Sequence, residues 1–335
     1  MKMTPTQHHL SLIEKITPSM RYDGKEPFTE WQGRARKRLA ALLHMEVFEA
    51  CDPTFTLEFT EEFEDFTEYR FTIQSEPGYF VPAHLWVPKG IEGKLPLCIC
   101  LQGHSTGMHI SLGRPKYEGD EALIGGGDRD FAKQIIKEGF CSLAIEQRNF
   151  GECGGTETGT GCQVPTLSAL LFGRTVIGER VWDISRMIDA ATANFDMIDS
   201  AKIYCMGNSG GGTATFYAAC LDERISFAMP SCAVCTYKDS IAAMRHCTCN
   251  FIPGIANDFD MGDLAGLIAP RKLAVVHGVK DKIFPDHGVR KAYETIERMY
   301  AAAGAPENCR LVSGSEGHRF YAVRGWRAAH ELLGE

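Results

Sequence analysis

The sequence predicts an α/β fold in which a mostly parallel central sheet is covered on both faces by helices. From residue 95 onwards, short apolar segments alternate with longer segments whose apolar residues recur at helical spacing. Strands that are apolar on both faces belong in the interior of such a sheet, between two layers of helices. The 335 residues, 44% of them hydrophobic and 23% charged, are enough to form one large domain of this kind.

Six segments have the character of buried parallel strands, and four segments between them have the character of helices. The strand segments are LPLCICLQG, FCSLAIEQ, AKIYCMG, ISFAMPS, RKLAVVHG and CRLVSG. The helical segments are RDFAKQIIKEG, ERVWDISRMIDAATAN, GGTATFYAACLD and GVRKAYETIERMYAAAG. Long connections at 151–163 and about 236–265 follow the second and fourth strands, at the edge where such sheets build their sites. The glycine-rich segment GDEALIGGGDRD is predicted to be a loop.

The amino-terminal part of the chain differs from this pattern, so we divide the chain at residue 65. Residues 1–65 are predicted to be a helical extension that packs on the main domain, residues 66–335. In PFTEWQGRARKRLAALLHM, one helix face carries the apolar side chains Phe28, Trp31, Ala35, Leu39 and Leu42. The alternating segments EYRFTIQSE and YFVPAHLWVP flank the turn EPG, which predicts an antiparallel hairpin at the start of the main domain.

Charge and targeting signals exclude several classes of partner. The formal net charge is −8 and the acidic residues are scattered, which argues against a nucleic-acid partner. The amino terminus, MKMTPTQHHLSLIEKI, lacks the apolar segment and small-residue cleavage site of a signal peptide, and no apolar run is long enough to span a membrane. We therefore expect a cytoplasmic protein without a membrane partner; a homo-oligomer is compatible with these features.

The chain contains 13 cysteines, most of them within apolar strand segments. Buried cysteine behaves as a small hydrophobic residue, so reduced core thiols are the expected state. Cys232, Cys235, Cys247 and Cys249, with His246, offer a set of zinc-binding residue types. Because C-x-C is not the usual zinc-knuckle spacing, we expect structural or pocket-lining thiols there and no metal.

The segment GNSGGG places one serine among four glycines, where an apolar strand passes into a helix. A tight structural turn would account for glycine and serine in this position. The residues from Gly207 to Gly211 also fit G-x-S-x-G, in which a strained strand-to-helix turn lifts a nucleophilic serine above the sheet. Under that interpretation Ser209 is the nucleophile.

A nucleophilic serine needs a base to accept its proton and an acid to orient the base. Asp281 follows the strand segment KLAVVHG, and His318 follows the last strand in a glycine-bracketed loop. Their order after Ser209 is the order Ser-Asp-His that accompanies such a turn, so we assign Asp281 as the acid and His318 as the base. Asp286 is the rival acid, but it follows Pro285 and is predicted to cap the next helix.

An oxyanion hole requires two N–H groups directed at the negative charge that develops during acyl transfer. We assign one to Gly210, which follows the nucleophile at the start of a helix. The other is assigned to the backbone of His104 in LQGHSTG, after the first parallel strand, with Ser105 as the rival.

Polar side chains in the loops at the same sheet edge are candidates for contacting the substrate. The candidate pocket residues are Ser105, Arg148, Arg245, His246 and Phe251. Packing of these loops on the protein body is the alternative explanation. Polar groups in such a pocket favour a hydroxylated substrate over a bare alkyl chain.

At this point the sequence resembles the α/β-hydrolase family from about Leu95 to the carboxyl terminus, and within it the dienelactone-hydrolase-like and acetyl xylan esterase-like hydrolases. The resemblance is carried by GNSGGG, EQRNFGECG, LIAPRKLAVVHGVKDKIFP and EGHRF. The sequence departs from dienelactone hydrolases, which use cysteine where this chain has Ser209. The residues before His104 are Gln102 and Gly103 where His-Gly is commoner, and Glu146 replaces a more usual Asp.

The resemblance implies cofactor-free hydrolysis of an acyl ester. We therefore expect a serine carboxylesterase acting on short-chain acyl esters, with an acetyl ester of a polar or carbohydrate alcohol as substrate. An oligopeptidase-like enzyme, an acyltransferase and a non-catalytic ligand-binding relative of the same fold remain as alternatives.

Overall fold

The structure, a computed structural model, describes residues 2–334 and contains a nine-stranded mixed sheet. The strands are β1 (Thr56–Glu62), β2 (Phe66–Glu76), β3 (Tyr79–Pro88), β4 (Leu95–Leu101), β5 (Cys141–Ile145), β6 (Ile198–Asn208), β7 (Ile225–Ser231), β8 (Lys272–Gly278) and β9 (Cys309–Gly314). Their order in the sheet is β1-β2-β3-β5-β4-β6-β7-β8-β9. Strands β1, β2 and β3 pair antiparallel, and β3 joins β5 antiparallel.

The six strands from β4 to β9 are parallel to one another, so their carboxyl ends share one edge of the sheet. Strand β4 pairs with β5 on one side and with β6 on the other. The chain therefore reverses its direction of travel across the sheet between β5 and β6. A crevice at the carboxyl edge is expected at such a reversal, because the loops diverge there.

Helices lie on both faces of the sheet. They are α1 (Pro5–Ile13), α2 (Phe28–Leu42), α3 (Asp120–Gly126), α4 (Phe131–Lys137), α5 (Gln163–Leu171), α6 (Val176–Asn194), α7 (Gly210–Leu221), α8 (Ile255–Asp258), α9 (Met261–Leu264), α10 (Asp286–Ala302) and α11 (Ala322–Leu333). The larger apolar layer contains buried residues of α2, α6, α7 and α10, and the smaller contains those of α4 and α11. This arrangement confirms the predicted class of fold.

Helix α2 packs into the larger apolar layer through one face. Trp31, Ala35, Leu39 and Leu42 are buried, as the helical spacing predicts. The indole Nε1 of Trp31 donates a hydrogen bond to the Met20 carbonyl at 2.7 Å. Residues 1–65 also contribute β1, which pairs with β2 at the edge of the sheet.

Several local features differ from the sequence prediction, which did not include the helices α5 and α11. The strand β1 was not expected, because only two of its seven residues, Leu57 and Phe59, are apolar and all seven are exposed. The segment GDEALIGGGDRD is not entirely a loop, since it forms α3. The Asp120 carboxylate fixes the start of α3 by accepting hydrogen bonds from the amides of Lys116 and Tyr117 at 3.0 and 2.9 Å. Within residues 2–334, no helix is both long enough and apolar enough to cross a bilayer.

Candidate active site

The turn between β6 and α7 holds Ser209 in a strained backbone conformation. Ser209 has φ 55° and ψ −120°, in a region that residues with a side chain rarely occupy. Its N–H donates to the Ser231 carbonyl at 2.8 Å, and its own carbonyl accepts the N–H of Thr213 at 2.8 Å. These two hydrogen bonds tie the turn to β7 and to α7, so the surrounding fold maintains the strain.

The positions around Ser209 require glycine because neighbouring backbone segments approach them too closely for a side chain. A Cβ on Gly211 would lie 2.1 Å from the carbonyl oxygen of Leu101 at the end of β4. A Cβ on Gly207 would lie 2.6 Å from the backbone of Gly211, and one on Gly212 would lie 2.7 Å from the Ser231 carbonyl oxygen. The first turn of α7 therefore packs directly against the ends of β4 and β7, and this packing determines where Ser209 lies.

The side chains of His318 and Asp281 form a hydrogen-bonded pair between the loops that follow β9 and β8. The Nδ1–H of His318 donates to Oδ2 of Asp281 at 2.8 Å. Oδ1 of Asp281 accepts the N–H groups of Ile283 and Phe284 at 2.8 and 3.3 Å. Burial acts to raise the pKa of Asp281, but the hydrogen bond and charge of His318, with the two backbone donors, hold that pKa below its ordinary value. Asp281 is therefore ionised at neutral pH and fixes the orientation of the imidazole.

Asp286, the rival acid, lies outside this pair. It is the first residue of α10, as the sequence predicts, but no side-chain capping hydrogen bond forms at that end of the helix. The prediction that Asp286 begins the helix is therefore confirmed, and the prediction that its side chain caps the helix is wrong. Its carboxylate instead accepts a hydrogen bond from Nε of Arg290, one turn further along the helix, at 2.8 Å.

The loop after β4 passes beside the nucleophile turn. A Cβ on Gly103 would lie 2.9 Å from the Asn208 carbonyl oxygen and 3.1 Å from Cβ of Ser209. Among residues 2–334, no acceptor is found for the N–H of His104. The N–H of Gly210 has no acceptor within α7, because it belongs to the first residue of that helix. Two N–H groups near Ser209 are thus available to an anion.

These residues surround a cavity of about 320 Å³ at the carboxyl edge of the sheet. The residues that line it are His104, Leu123, Arg129, Ser209, Gly210, Arg245, His246, Cys247, Asn250, Ile283, Phe284 and His318. A larger groove of about 610 Å³, lined by α2 and α6, contains none of the candidate catalytic residues. We therefore take the smaller cavity as the candidate active site, because the chemistry-bearing side chains converge there.

Comparison with known proteins identifies the fold. The chain is 28% identical over 257 residues to "Putative hydrolase YtaP" of Bacillus subtilis (strain 168), a match that covers 75% of this chain and 80% of that protein. A solved "putative acetyl xylan esterase" from Bacteroides fragilis NCTC 9343 has a TM-score of 0.77 at 14% identity, covering 99% of this chain and 90% of that one. The chain has the α/β-hydrolase fold.

A second solved structure agrees with this identification. A glucuronoyl esterase from Solibacter usitatus has a TM-score of 0.70 at 16% identity, covering 96% of this chain and 98% of that one. No family model matches the chain. The turn that carries Ser209 follows the strand β6 and opens the helix α7, which is the strand–turn–helix context of the G-x-S-x-G pattern.

The structure brings some of the sequence-predicted pocket residues to the cavity and places others elsewhere. Arg245 and His246 line it. Ser105 is buried and absent from the lining, and Phe251 lines a separate groove with residues of the amino-terminal helix. Arg148 is buried in an ion-pair network, where its Nε donates to Asp183 at 2.8 Å.

Arg129 is a cavity residue that the sequence analysis missed. It is only 7% exposed, lines the cavity, and has no hydrogen-bond acceptor for its Nε among the described residues. No motif marks this arginine in the sequence, because the fold alone brings the start of α4 next to the loop that carries His318. A buried guanidinium with unused donor capacity is suited to binding electron-rich oxygen atoms.

Glu146, to which the sequence analysis assigned no chemistry, anchors the loop that carries His104. It follows β5 and is 1% exposed. Its carboxylate accepts Nε2 of Gln102 at 2.7 Å, the N–H of Met108 at 3.1 Å, and the N–H of Glu152 at 3.3 Å. Both ends of the loop are therefore tied to one carboxylate. Burial nevertheless raises the pKa of Glu146 to about 7.

This raised pKa predicts a pH-dependent stability. Because the folded protein binds the Glu146 proton more tightly than the unfolded chain, the stabilisation is present below about pH 4.5 and is lost as the pH rises towards 7. The Glu146→Gln variant lacks this titration. The difference in unfolding free energy between wild type and variant should therefore change by on the order of 3 kcal/mol across that window.

Urea unfolding followed by circular dichroism at several pH values measures this difference. Glu121→Gln, at an exposed position on α3, is the matched control for the replacement of a glutamate by glutamine. A constant difference between wild type and Glu146→Gln from pH 4.5 to 7 would contradict the assignment.

Proposed function

We propose that this protein is a serine carboxylesterase that cleaves short-chain acyl esters, with an acetyl ester of a polar or carbohydrate alcohol as its substrate. The observation that carries the proposal is the meeting of Ser209, on its strained turn, and His318, bonded to Asp281, at one cavity. The esterase names of the structural neighbours, and the hydrolase name of the relative from Bacillus subtilis, support ester hydrolysis.

In the proposed first half-reaction, Oγ of Ser209 attacks the ester carbonyl and His318 accepts the hydroxyl proton. His318 then donates that proton to the departing alcohol, leaving an acyl-enzyme on Ser209. Asp281 keeps Nδ1 of His318 protonated, so that Nε2 is free to act as the base, and it stabilises the imidazolium that forms. Water repeats the sequence on the acyl-enzyme and releases the acid.

The amides of Gly210 and His104 are the proposed donors to the oxyanion of each tetrahedral intermediate. Both are held before substrate binds, the first by the start of α7 and the second by the loop that Glu146 anchors. Preorganised donors of this kind stabilise the transition state more than the ground state, because the charge develops only during the reaction. The amino-terminal end of α7 adds a favourable potential.

The lining of the cavity supports a polar alcohol as the leaving group. Arg129, Arg245 and Asn250 offer hydrogen-bond donors to hydroxyl or ring oxygen atoms. The apolar lining residues are Ile283 and Phe284, the second of which stacks with His318, and Leu123. A cavity of about 320 Å³ that also holds part of the alcohol leaves room for a small acyl group and little room for a long chain.

Replacement of the nucleophile tests the mechanism. Ser209→Ala should lower kcat by at least about three orders of magnitude while leaving the fold intact, because only binding and oxyanion stabilisation remain. The measurement is steady-state hydrolysis of a chromogenic acetate ester, with circular dichroism as the check on folding. Ser226→Ala, on β7 with its hydroxyl bonded to the Ile203 carbonyl, is a matched serine control and should retain wild-type kcat. Full activity in Ser209→Ala would exclude the mechanism.

The length of the acyl chain tests the substrate assignment. Across acetate, butyrate, octanoate and laurate esters of one alcohol, kcat/KM should be highest for acetate and fall with each longer chain, because the cavity does not accommodate the added methylene groups. The same series with Ser209→Ala supplies the background rates. A maximum at octanoate or longer would contradict the small acyl pocket and indicate a lipase-like enzyme instead.

A further inference from the structure

A cluster of three cysteines and one histidine lies directly beside the candidate active site. Its members are His104, Cys162, Cys247 and Cys249, which we call the Cys3His cluster. They come from loops that follow three different strands: β4 for His104, β5 for Cys162, and β7 for Cys247 and Cys249. The cluster therefore joins the loop that supplies the proposed oxyanion donor to the two longest connections at this edge of the sheet.

The ligand atoms of the cluster converge on one point. One nitrogen and three sulfur atoms all lie within 4.8 Å of one another. Nε2 of His104 is 3.1 Å from Sγ of Cys249, and the Sγ atoms of Cys247 and Cys249 are 3.3 Å apart. Tetrahedral zinc with thiolate ligands requires sulfur–sulfur separations of about 3.7 Å. The observed spacing is close to that geometry, and it is too long for a disulfide, whose sulfur atoms are about 2.05 Å apart.

A buried cation accompanies the cluster. Arg180 on α6 is 1% exposed, and its guanidinium points Nη1 at Sγ of Cys249 and Nη2 at Sγ of Cys162, at 3.6 and 3.7 Å. Its other acceptor is the carbonyl oxygen of Arg148, and no ion pair between Arg180 and an Asp or Glu occurs among residues 2–334. A buried charge requires a counter-charge. Thiolate sulfur is the available source of negative charge here.

We propose that the Cys3His cluster binds one structural zinc ion. Three thiolates, one neutral imidazole and Zn²⁺ carry a net charge of −1, which the guanidinium of Arg180 neutralises. Binding releases the three thiol protons to solvent and involves no change of oxidation state. Four protein ligands close the coordination sphere, so the ion has a structural role and leaves no open position for substrate.

The ion would act on the proposed reaction through the position of His104. The imidazole of His104 is a ligand, and the backbone N–H of the same residue is the proposed oxyanion donor. The ring also packs against the start of α7, where a Cβ on Gly210 would lie 2.7 Å from it. Zinc would thus fix the loop after β4 against the helix that carries the other donor. This consequence rests on the proposed function, whereas the metal site itself does not.

This ligand set differs from the one that the sequence suggested. Cys232 donates to the Arg319 carbonyl at 3.2 Å and Cys235 lies near the Pro285 carbonyl at 3.9 Å, so neither belongs to the Cys3His cluster. His246 lines the cavity beside the cluster, with Nε2 3.1 Å from Oγ of Ser240. Only Cys247 and Cys249 are common to both sets, and the sequence gives no sign that His104 and Cys162 join them.

Elemental analysis of the full chain, purified without chelator under reducing conditions, tests the proposal. We expect about one zinc per chain in the wild type. Cys162→Ser and Cys249→Ser should each weaken zinc binding by at least about tenfold, as judged by competition with a chromogenic chelator. Cys220→Ser is the matched control, since this buried thiol lies outside the cluster and its hydrogen bond to the Leu264 carbonyl suits a serine hydroxyl.

A second measurement applies if the ligand variants do not fold. Replacing the metal of the wild-type protein with Co²⁺ should produce the intense visible bands of tetrahedral thiolate-bound cobalt, which thiol alkylation abolishes. Folded wild-type protein that carries no zinc and develops no such bands would overturn the proposal, and so would equal zinc affinity in Cys162→Ser and Cys220→Ser. These readouts do not depend on esterase activity, so they separate failure of the metal site from failure of the proposed function.

Discussion

The close approach of α7 to the ends of β4 and β7 is the constraint on which the candidate site depends. A Cβ on Gly211 or Gly212 would collide with the carbonyl oxygens of Leu101 or Ser231, so the helix begins where it does only because these residues have no side chain. That approach leaves Ser209 strained between strand and helix, with the N–H of Gly210 free at the helix start. The cost of the strain is offset by the surrounding sheet, whose backbone hydrogen bonds hold the turn in place.

Buried polar groups hold the loops around the Ser209 turn in place. Glu146 anchors the loop after β4 through three donors, and Asp281 is fixed by two backbone N–H groups before it receives His318. Arg180 faces the thiols that join the same loop to the connections after β5 and β7. Burying any of these groups without its partners would cost free energy. The loops are therefore held in the one arrangement that keeps the partners together.

Local sequence patterns were sufficient to predict the parallel strands and the helices α2, α4, α6, α7 and α10, because hydrophobic periodicity reflects local structure. The assignment of Ser209, Asp281 and His318 rests on the order of the motifs and stays a prediction. Strand β1 was missed because it has only two apolar residues, Leu57 and Phe59, and buries no face that a hydrophobic pattern could reveal. Arg129 and the pairing of His104 with Cys162 were missed for a different reason. Their proximity arises only when loops distant in sequence meet at one sheet edge, and no spacing in a single sequence records that meeting.

The most direct test of the central claim is the site and rate of covalent labelling by a serine-directed fluorophosphonate, followed by peptide mass spectrometry. If Ser209 is a nucleophile activated by His318, one phosphonyl group per chain should appear on the peptide that contains Ser209. His318→Ala should slow that labelling by at least about a hundredfold, because the general base is then missing. Labelling at another residue, or at an equal rate in the His318→Ala variant, would contradict the account.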